Sequence, residues 1–153
     1  MKKYKYIILS ITISLGIGAL SALLTMNSMD LYKKINNPKI APPSIVFPIV
    51  WTILYILIGL ASYLIHREKN NNKESALILY YFLLILNFSW PIVFFNYQNF
   101  LLALAILLAL NISTVFLIYL FYKIKHSAAY LLLPYFIWII FALYLNFWIF
   151  LHN

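Results

Sequence analysis

The side chains of this chain that could do chemistry in an apolar environment are indoles, phenols and amides. Asn87 lies three residues before Trp90, and Asn146 lies eight residues after Trp138. On an α-helix, residues at such spacings share one face. Indoles stack on flat aromatic molecules, and a few amides can fix the orientation of such a molecule. These residue types therefore predict a pocket for a flat, apolar ligand.

Other kinds of catalytic or metal chemistry have little support in this sequence. Cysteine is absent, which excludes disulfides, thiolate metal sites and cysteine nucleophiles. The histidines and acids all lie outside the apolar runs, at His66, His126, His152, Asp30, Glu68 and Glu74. Scattered histidines argue against a metal or haem-ligating cluster, and a proton-coupled pump normally needs an ionisable group within the membrane. We therefore expect no metal and no required cofactor.

The composition is that of an integral membrane protein. The chain is 65% hydrophobic and 9% charged over 153 residues, whereas a soluble domain carries about 25% charged residues. Its apolar runs approach or exceed the ~20 residues that cross a bilayer as a helix, and they lack the alternating polarity of barrel strands. The five runs are at about 6–26, 45–65, 75–95, 100–122 and 128–151. We therefore expect one all-α domain over residues 1–153, a five-transmembrane-helix bundle.

The lysines and arginines predict the orientation of this bundle. All eleven lie outside the apolar runs; eight share the side of the N-terminus, and three lie in the loop between the first two runs. Because cytoplasmic loops carry the excess of positive charge, the N-terminus is expected in the cytoplasm and the C-terminus outside. The first run is longer than a signal-peptide core, so we expect a retained anchor. The charges suit the lipid bilayer as a partner, and no basic soluble face suggests nucleic acid.

Small residues recur every four positions in two of the runs. The first run carries Ser10, Ser14, Gly18 and Ala22, and the fourth carries Ala105, Ala109 and Ser113. Such stripes let helix backbones approach closely. They predict either packing within one chain or the face of a homodimer.

Asparagines at membrane depth are informative because an unpaired buried amide costs about 1–3 kcal/mol. They occur at Asn87, Asn111 and Asn146. Pro91 lacks the N–H that would bond to the carbonyl of Asn87, so this turn has two polar groups that need other partners. Either neighbouring helices satisfy these groups or the groups face a ligand.

The fifth run carries one stripe of unusual residues, at Pro134, Trp138, Ala142 and Asn146. The alanine leaves room beside the tryptophan, which a lipid-facing helix has no need to leave. In the predicted orientation this stripe, the Asn87–Trp90 turn and Trp51 all fall in the outer half of the bundle, beneath a proline-rich loop. Proline stiffens that loop. The arrangement predicts a lidded pocket with Trp51 and Trp138 facing one cavity.

Several motifs match those of one membrane-protein family. They are Tyr32 with Pro38, the pair Pro42–Pro43, F-P-I-V-W-T at 47–52, L-N-F-S-W-P at 86–91, L-P-Y at 133–135, and Trp138, Ala142 and Asn146. On these motifs the chain resembles the TspO/MBR family, the tryptophan-rich sensory proteins and translocator proteins, over nearly its whole length. Members usually carry tryptophans in the first loop where this chain has Leu31 and Ile40.

The resemblance implies a five-helix bundle, often a homodimer, whose first loop covers a pocket for porphyrins and, in some members, cholesterol or benzodiazepine-type drugs. Matching positions imply a pocket of Tyr32, Pro42, Trp51, Asn87, Trp90, Trp138 and Ala142, to which the fifth stripe adds Asn146. Trp51 and Trp138 match tryptophans implicated, in some bacterial members, in light- and oxygen-dependent porphyrin breakdown.

The implied function is a receptor or sensor in a bacterial cell membrane that binds a tetrapyrrole, such as a porphyrin or haem-type molecule. The alternatives are a light-dependent porphyrin-degrading enzyme, in which Trp51 and Trp138 would be the catalytic residues, and a transporter of porphyrin or sterol-like ligands. All three need the same ligand-binding pocket, so the residues alone leave the choice open.

The predicted orientation can be tested with a reporter fused after Asn153. Because eight of the eleven positive residues lie on the N-terminal side, we expect the C-terminus outside the cytoplasm. An alkaline phosphatase fusion should therefore be active, and a green fluorescent protein fusion at the same position should be dark. The reverse pattern would overturn the predicted topology.

Overall fold

The computed structural model describes all residues, Met1–Asn153, and consists of helices and loops without strands. Its five long helices are α1 (Lys2–Thr25), α2 (Val46–Arg67), α3 (Lys73–Pro91), α4 (Phe100–Ile124) and α5 (His126–His152). Each is long and apolar enough to cross a membrane. The all-α five-helix class expected from the sequence is confirmed. The observed helices extend the predicted runs by a few residues at most ends, because charged residues next to an apolar run continue the helix into the interface.

Short helical pieces fill the connections on the side of the first loop. A 3₁₀ turn, Met26–Ser28, follows α1, and a short loop helix, Leu31–Lys34, lies within the first loop. A π-helical segment, Ile92–Asn96, continues α3 beyond its proline. At the other end of the bundle, α4 and α5 are separated by Lys125 alone. The bundle therefore has its irregular backbone concentrated at one end.

The five helices form a closed ring in the order α1, α2, α5, α4, α3, with α3 packing back against α1. Apolar side chains of α2, α3, α4 and α5 fill the interior. The first helix contributes differently: its only buried residues are Ser14, Ser21 and Thr25. A helix whose inner face carries only small side chains can approach its neighbours closely, but it leaves space beside the contact.

Close backbone contact joins α1 to α2. The Ser14 hydroxyl donates to the Tyr55 carbonyl oxygen at 2.7 Å, and Gly59 faces the backbone of α1 at Ile11. The Tyr55 ring lies directly over Gly18. The small residues at Ser14 and Gly18 therefore serve packing within the chain.

The predicted stripe of small residues on α1 packs against α2 at Ser14 and Gly18 but not at Ala22. Ser14 is buried, but Ala22 is exposed, and Ser21 takes the buried position instead. The reason is the helix period: at 3.6 residues per turn, each four-residue step drifts about 40° around the axis. A row at strict four-residue spacing therefore leaves the buried face of α1 after two steps. Ser21, seven residues after Ser14, lies on that face again, but it bonds to α3 whereas Ser14 bonds to α2.

A pair of glycine substitutions tests this contact. A Cβ at Gly59 would lie 2.9 Å from the Ile11 Cα, whereas a Cβ at Gly16 meets nothing within 4 Å. Backbone atoms cannot move aside, so we expect Gly59→Ala to destabilise the fold by ~1–3 kcal/mol. Gly16→Ala should be neutral or stabilise by up to ~1 kcal/mol. Thermal unfolding in detergent compares the two, and equal melting temperatures would contradict the close α1–α2 contact.

Candidate functional site

The site begins at the proline of α3. Pro91 has no backbone N–H, and the Ile92 N–H donates to the Ser89 carbonyl, after which the chain widens into the π segment Ile92–Asn96. π segments often mark functional sites because they displace side chains and free backbone groups. The sequence predicts that this turn needs other hydrogen-bond partners, and the backbone becomes π-helical directly after it.

Side chains bond the irregular part of α3 to α1. The Ser21 hydroxyl donates to the Phe88 carbonyl oxygen at 3.3 Å. At the end of the π segment, the Asn96 amide donates to the Leu24 carbonyl oxygen at 2.9 Å. Because lipid offers no hydrogen bonds, such partners are what make irregular backbone tolerable at membrane depth. The two bonds fix the C-terminal end of α1 beside α3.

A cavity of about 340 Å³ lies between these elements, under the first loop. Six of the predicted site residues line it: Tyr32, Trp51, Asn87, Trp90, Ala142 and Asn146. The first helix adds Gly18, Ser21 and Thr25 to the wall. Ligand pockets for small molecules typically measure ~300–1,000 Å³ and are mostly apolar with a few polar groups. The size and lining of this cavity fit that description.

The amide of Asn87 forms a reciprocal pair with a tyrosine of α5. Its Nδ2 donates to the Tyr135 hydroxyl at 2.8 Å, and that hydroxyl donates back to Oδ1 at 3.0 Å. Both residues are buried. Of the two alternatives left open by the sequence, the neighbouring helix supplies the partner, while Asn87 still forms part of the cavity wall.

A second amide joins three helices. The Trp90 indole N–H donates to Asn146 Oδ1 at 2.9 Å, and Asn146 Nδ2 donates to the Phe100 carbonyl oxygen at 3.0 Å. Phe100 is the first residue of α4, whose N-terminal carbonyl faces the bundle. This chain of bonds holds the Trp90 indole as a fixed wall of the cavity.

The first loop is held over the cavity from two sides. The Tyr32 hydroxyl donates to the Pro42 carbonyl oxygen at 2.7 Å, and its ring packs edge-on against Phe47 at 5.1 Å. Burial raises the pKa of the Tyr32 phenol above its ordinary value, so the hydroxyl stays protonated and continues to donate. Pro42 contributes to the lid through this carbonyl, outside the cavity lining.

The loop also bonds to the end of α5. The Asn36 N–H donates to Asn153 Oδ1 at 2.9 Å, and the Asn153 amide returns a bond to the Asn36 carbonyl oxygen at 3.1 Å. The Asn36 amide adds a third bond, to the His152 carbonyl oxygen at 3.2 Å. These exposed amide bonds connect the lid to a rigid helix while remaining open to exchange with water.

The family assignment follows from comparison with known sequences. The sequence model of the TspO/MBR family matches residues 10–151, which include every element of the cavity wall. The chain belongs to the TspO/MBR family.

Relatives of this TspO/MBR protein occur in archaea, bacteria and animals. It is 36% identical over 149 residues to the tryptophan-rich protein TspO of Archaeoglobus fulgidus, covering 96% of each chain. It is 30% identical over 153 residues to the protein of the same name from Bacillus cereus, covering 100% and 99% of the two chains. With the human translocator protein it shares 32% identity over 143 residues, or 92% and 85% of the two chains.

Trp138 lies elsewhere than the sequence predicts. It is half-buried and packs between Phe47 at 5.9 Å and Phe141 at 5.6 Å, outside the cavity lining. Position along the helix explains the difference: the α5 residues that line the cavity begin at Ala142, and Trp138 lies about one turn, ~6 Å, before it. Trp138 therefore supports Phe47 and, through it, the Tyr32 lid, instead of facing the cavity with Trp51.

Two parts of the site were missed from the sequence. The α1 wall was one, although hydroxyl residues at Ser14, Ser21 and Thr25, spaced by seven and four, were a readable sign of a polar inner face. Tyr135 was the other; it belongs to the L-P-Y motif at 133–135, but no feature of the sequence pairs its hydroxyl with Asn87. Asn111, which was singled out, bonds through Nδ2 to the Ile139 carbonyl at 3.2 Å and lies at the α4–α5 contact, away from the cavity.

A double-mutant cycle tests the pair under the cavity. Asn87→Leu leaves the buried Tyr135 hydroxyl without a partner, so we expect a loss of ~1–3 kcal/mol in stability. Tyr135→Phe should cost a similar amount, because it leaves the amide unpaired. The double variant should be much less than additive, since both partners become apolar together. Additive losses in thermal stability would show that the two groups act independently.

Proposed function

We propose that this TspO/MBR protein is a membrane receptor or sensor that binds a tetrapyrrole in the cavity under the first loop. The observation that carries the proposal is the composition of the wall. Trp51 and Trp90 enter from two different helices and flank one cavity, while the amides beside them are bonded within the protein. Such a wall offers π surface rather than free hydrogen-bonding groups, which suits a large flat aromatic ligand.

The ligand would be held mainly by stacking and apolar contact. Phe94 and Phe95 lie beside Trp90, at 5.3 Å and 6.3 Å between ring centres, and line the same cavity. Ala142 lies opposite, where its small side chain leaves room for the edge of a ring. A cavity near the lower end of the usual size range suits a flat molecule better than a globular one.

The carboxylates of a porphyrin would lie at the mouth of the cavity. Lys33 is the one basic residue in the lining, and its ammonium group lies 3.8 Å from the Asp30 carboxylate. Both side chains are largely exposed, and such ion pairs contribute about 0–1 kcal/mol. Lys33 can therefore exchange Asp30 for a ligand carboxylate at little cost, which orients the macrocycle with its acidic edge outward.

Light- and oxygen-dependent breakdown of the bound porphyrin is a second candidate function. It is favoured by the neighbours of Trp51, whose ring lies 5.7 Å from Tyr55 and 6.4 Å from Tyr135. Indoles and phenols are the most readily oxidised side chains in this site, and molecular oxygen would be the oxidant. Trp51 faces the ligand space, so it would be the residue that first exchanges an electron with the excited ligand.

Titration of purified protein with protoporphyrin IX in darkness tests the binding proposal. Loss of the Trp51 stacking surface in Trp51→Phe should weaken binding by ~0.5–1.5 kcal/mol, or about two- to tenfold in Kd. Trp148→Phe is the matched control, because it makes the same chemical change at a residue that stacks on His152 and lies outside the cavity lining. We expect its affinity to equal that of the unsubstituted protein. The absorbance of the bound porphyrin measures both.

Two results would contradict the proposal. One is the absence of saturable porphyrin binding by the folded protein. The other is equal affinity of Trp51→Phe and the unsubstituted protein, which would place the ligand elsewhere. Illumination then separates the two candidate functions: a stable spectrum indicates a receptor, whereas bleaching with a new product band, slowed in Trp51→Phe, indicates breakdown.

A further inference from the structure

A second cavity, of about 590 Å³, lies at the opposite end of the bundle from the first loop. Its walls are the N-terminal half of α1, the last turns of α2 and the first turns of α3. The bonds between α1 and α3, at Ser21 and Asn96, are both at the other end of these helices. The N-terminal half of α1 therefore lies apart from α3, and the cavity occupies the gap between them.

The rim of this cavity is positively charged. Lys2 and Lys3 from α1 and Arg67 from α2 line it, and no acidic residue does. The Arg67 guanidinium lies over the Tyr63 ring at 5.7 Å, which holds it at the cavity wall. The nearest acid in sequence, Glu68, is paired with Lys125 at 3.1 Å. The three cations are therefore free to attract an anion.

The inner wall carries polar groups without partners. Tyr63 and Tyr80 line the cavity, both are buried, and neither hydroxyl forms a hydrogen bond within the protein. The neighbouring Ser62 hydroxyl donates to the Gly59 carbonyl instead. Buried polar groups in native proteins nearly always have a partner. Two hydroxyls without hydrogen-bond partners beside one cavity are therefore available to a polar group that enters it.

The remaining wall is apolar. Leu9 and Ile13 of α1 line the cavity on the membrane side of the lysines, and both side chains are exposed. The cavity therefore has three layers. Cations lie at the interface, hydroxyls lie below them, and an apolar groove leads toward the bilayer centre. That order matches the phosphate, glycerol and acyl chain of a phospholipid in the adjacent leaflet.

We propose that this cavity, between α1 and α3, is a binding site for an anionic phospholipid. The phosphate lies among Lys2, Lys3 and Arg67; Tyr63 and Tyr80 donate to its oxygens or to those of the glycerol ester; and an acyl chain follows Leu9 and Ile13. A soluble anion would satisfy the cations but has no use for the apolar groove, and a neutral lipid would leave three cations around its headgroup. The site is independent of the cavity under the first loop, since no residue lines both.

Native mass spectrometry of the purified protein, titrated with phosphatidylglycerol and with phosphatidylcholine, tests the proposal. We expect phosphatidylglycerol to bind with a saturable stoichiometry of one at low concentration and phosphatidylcholine to bind at least tenfold more weakly. The combined variant Lys2→Gln, Lys3→Gln should lose about tenfold in affinity for phosphatidylglycerol. The combined variant Lys5→Gln, Lys69→Gln is the matched control, because it removes two charges from residues outside the cavity lining and should lose less than threefold.

The hydroxyls give a second, independent measurement. Tyr80→Phe should weaken phosphatidylglycerol binding a few-fold, while its melting temperature without lipid stays the same or rises, because a buried hydroxyl without a partner has been removed. Glycerol phosphate, which has the headgroup chemistry without acyl chains, should fail to displace the lipid at equal concentration.

Three outcomes would overturn the proposal. Equal losses in the two lysine variants would show diffuse attraction to the basic end of the protein rather than a site. Unchanged affinity in both Lys2→Gln, Lys3→Gln and Tyr80→Phe would place the lipid elsewhere. Efficient displacement by glycerol phosphate would make the cavity a site for soluble anions.

Discussion

The polar turn of α3 is the feature on which the rest of the bundle depends. Asparagine at position 87 and proline at position 91 put unsatisfied hydrogen-bonding groups into a helix at membrane depth, where lipid provides no partner. Two polar groups of this turn bond to different neighbours. Tyr135 on α5 pairs with the side-chain amide of Asn87, and Ser21 on α1 donates to the backbone carbonyl of Phe88, the next residue along the helix. The need to satisfy one turn therefore sets the positions of two other helices around it.

This use of polar groups decides what the cavity can recognise. The amides of Asn87 and Asn146 line the cavity, yet both are already bonded to other helices. What remains for a ligand is the surface of Trp51, Trp90 and their aromatic neighbours. Recognition by stacking is tolerant of ring substituents, since every flat aromatic molecule has a π face. Under the proposed function, such a cavity would accept chemically different flat ligands without a change of fold.

The first helix explains why the bundle has a cavity at each end. Its inner face consists of small and hydroxyl side chains, and it approaches α2 closely at Ser14 and Gly18. A helix with so little side-chain volume on its inner face cannot fill the space toward α3. At the C-terminal end of α1 that space becomes the cavity under the first loop, and at its N-terminal end it becomes the cavity lined by Lys2, Lys3 and Arg67. The small residues of α1 thus allow close packing against α2 in the middle of the bundle and leave a cavity toward each end.

The class of the protein, the number and approximate bounds of its helices, and six of the residues that line the first cavity could all be predicted from the sequence. These follow from local properties: apolar length, the missing N–H of proline, and residue types that are costly to bury unpaired. The direction in which each side chain faces was harder to predict from these local properties. Four-residue spacing puts Ala22 in one row with Ser14, although two such steps turn it about 80° around α1. The spacing also gives no measure of how deep the cavity reaches along α5, and its lining there begins at Ala142, after Trp138. Two features could be seen only in the folded protein: Tyr135 bonds to Asn87, and α1 lies apart from α3 at its N-terminal end. Both depend on which helices are neighbours and on how closely their backbones approach, and no local property of the sequence records either.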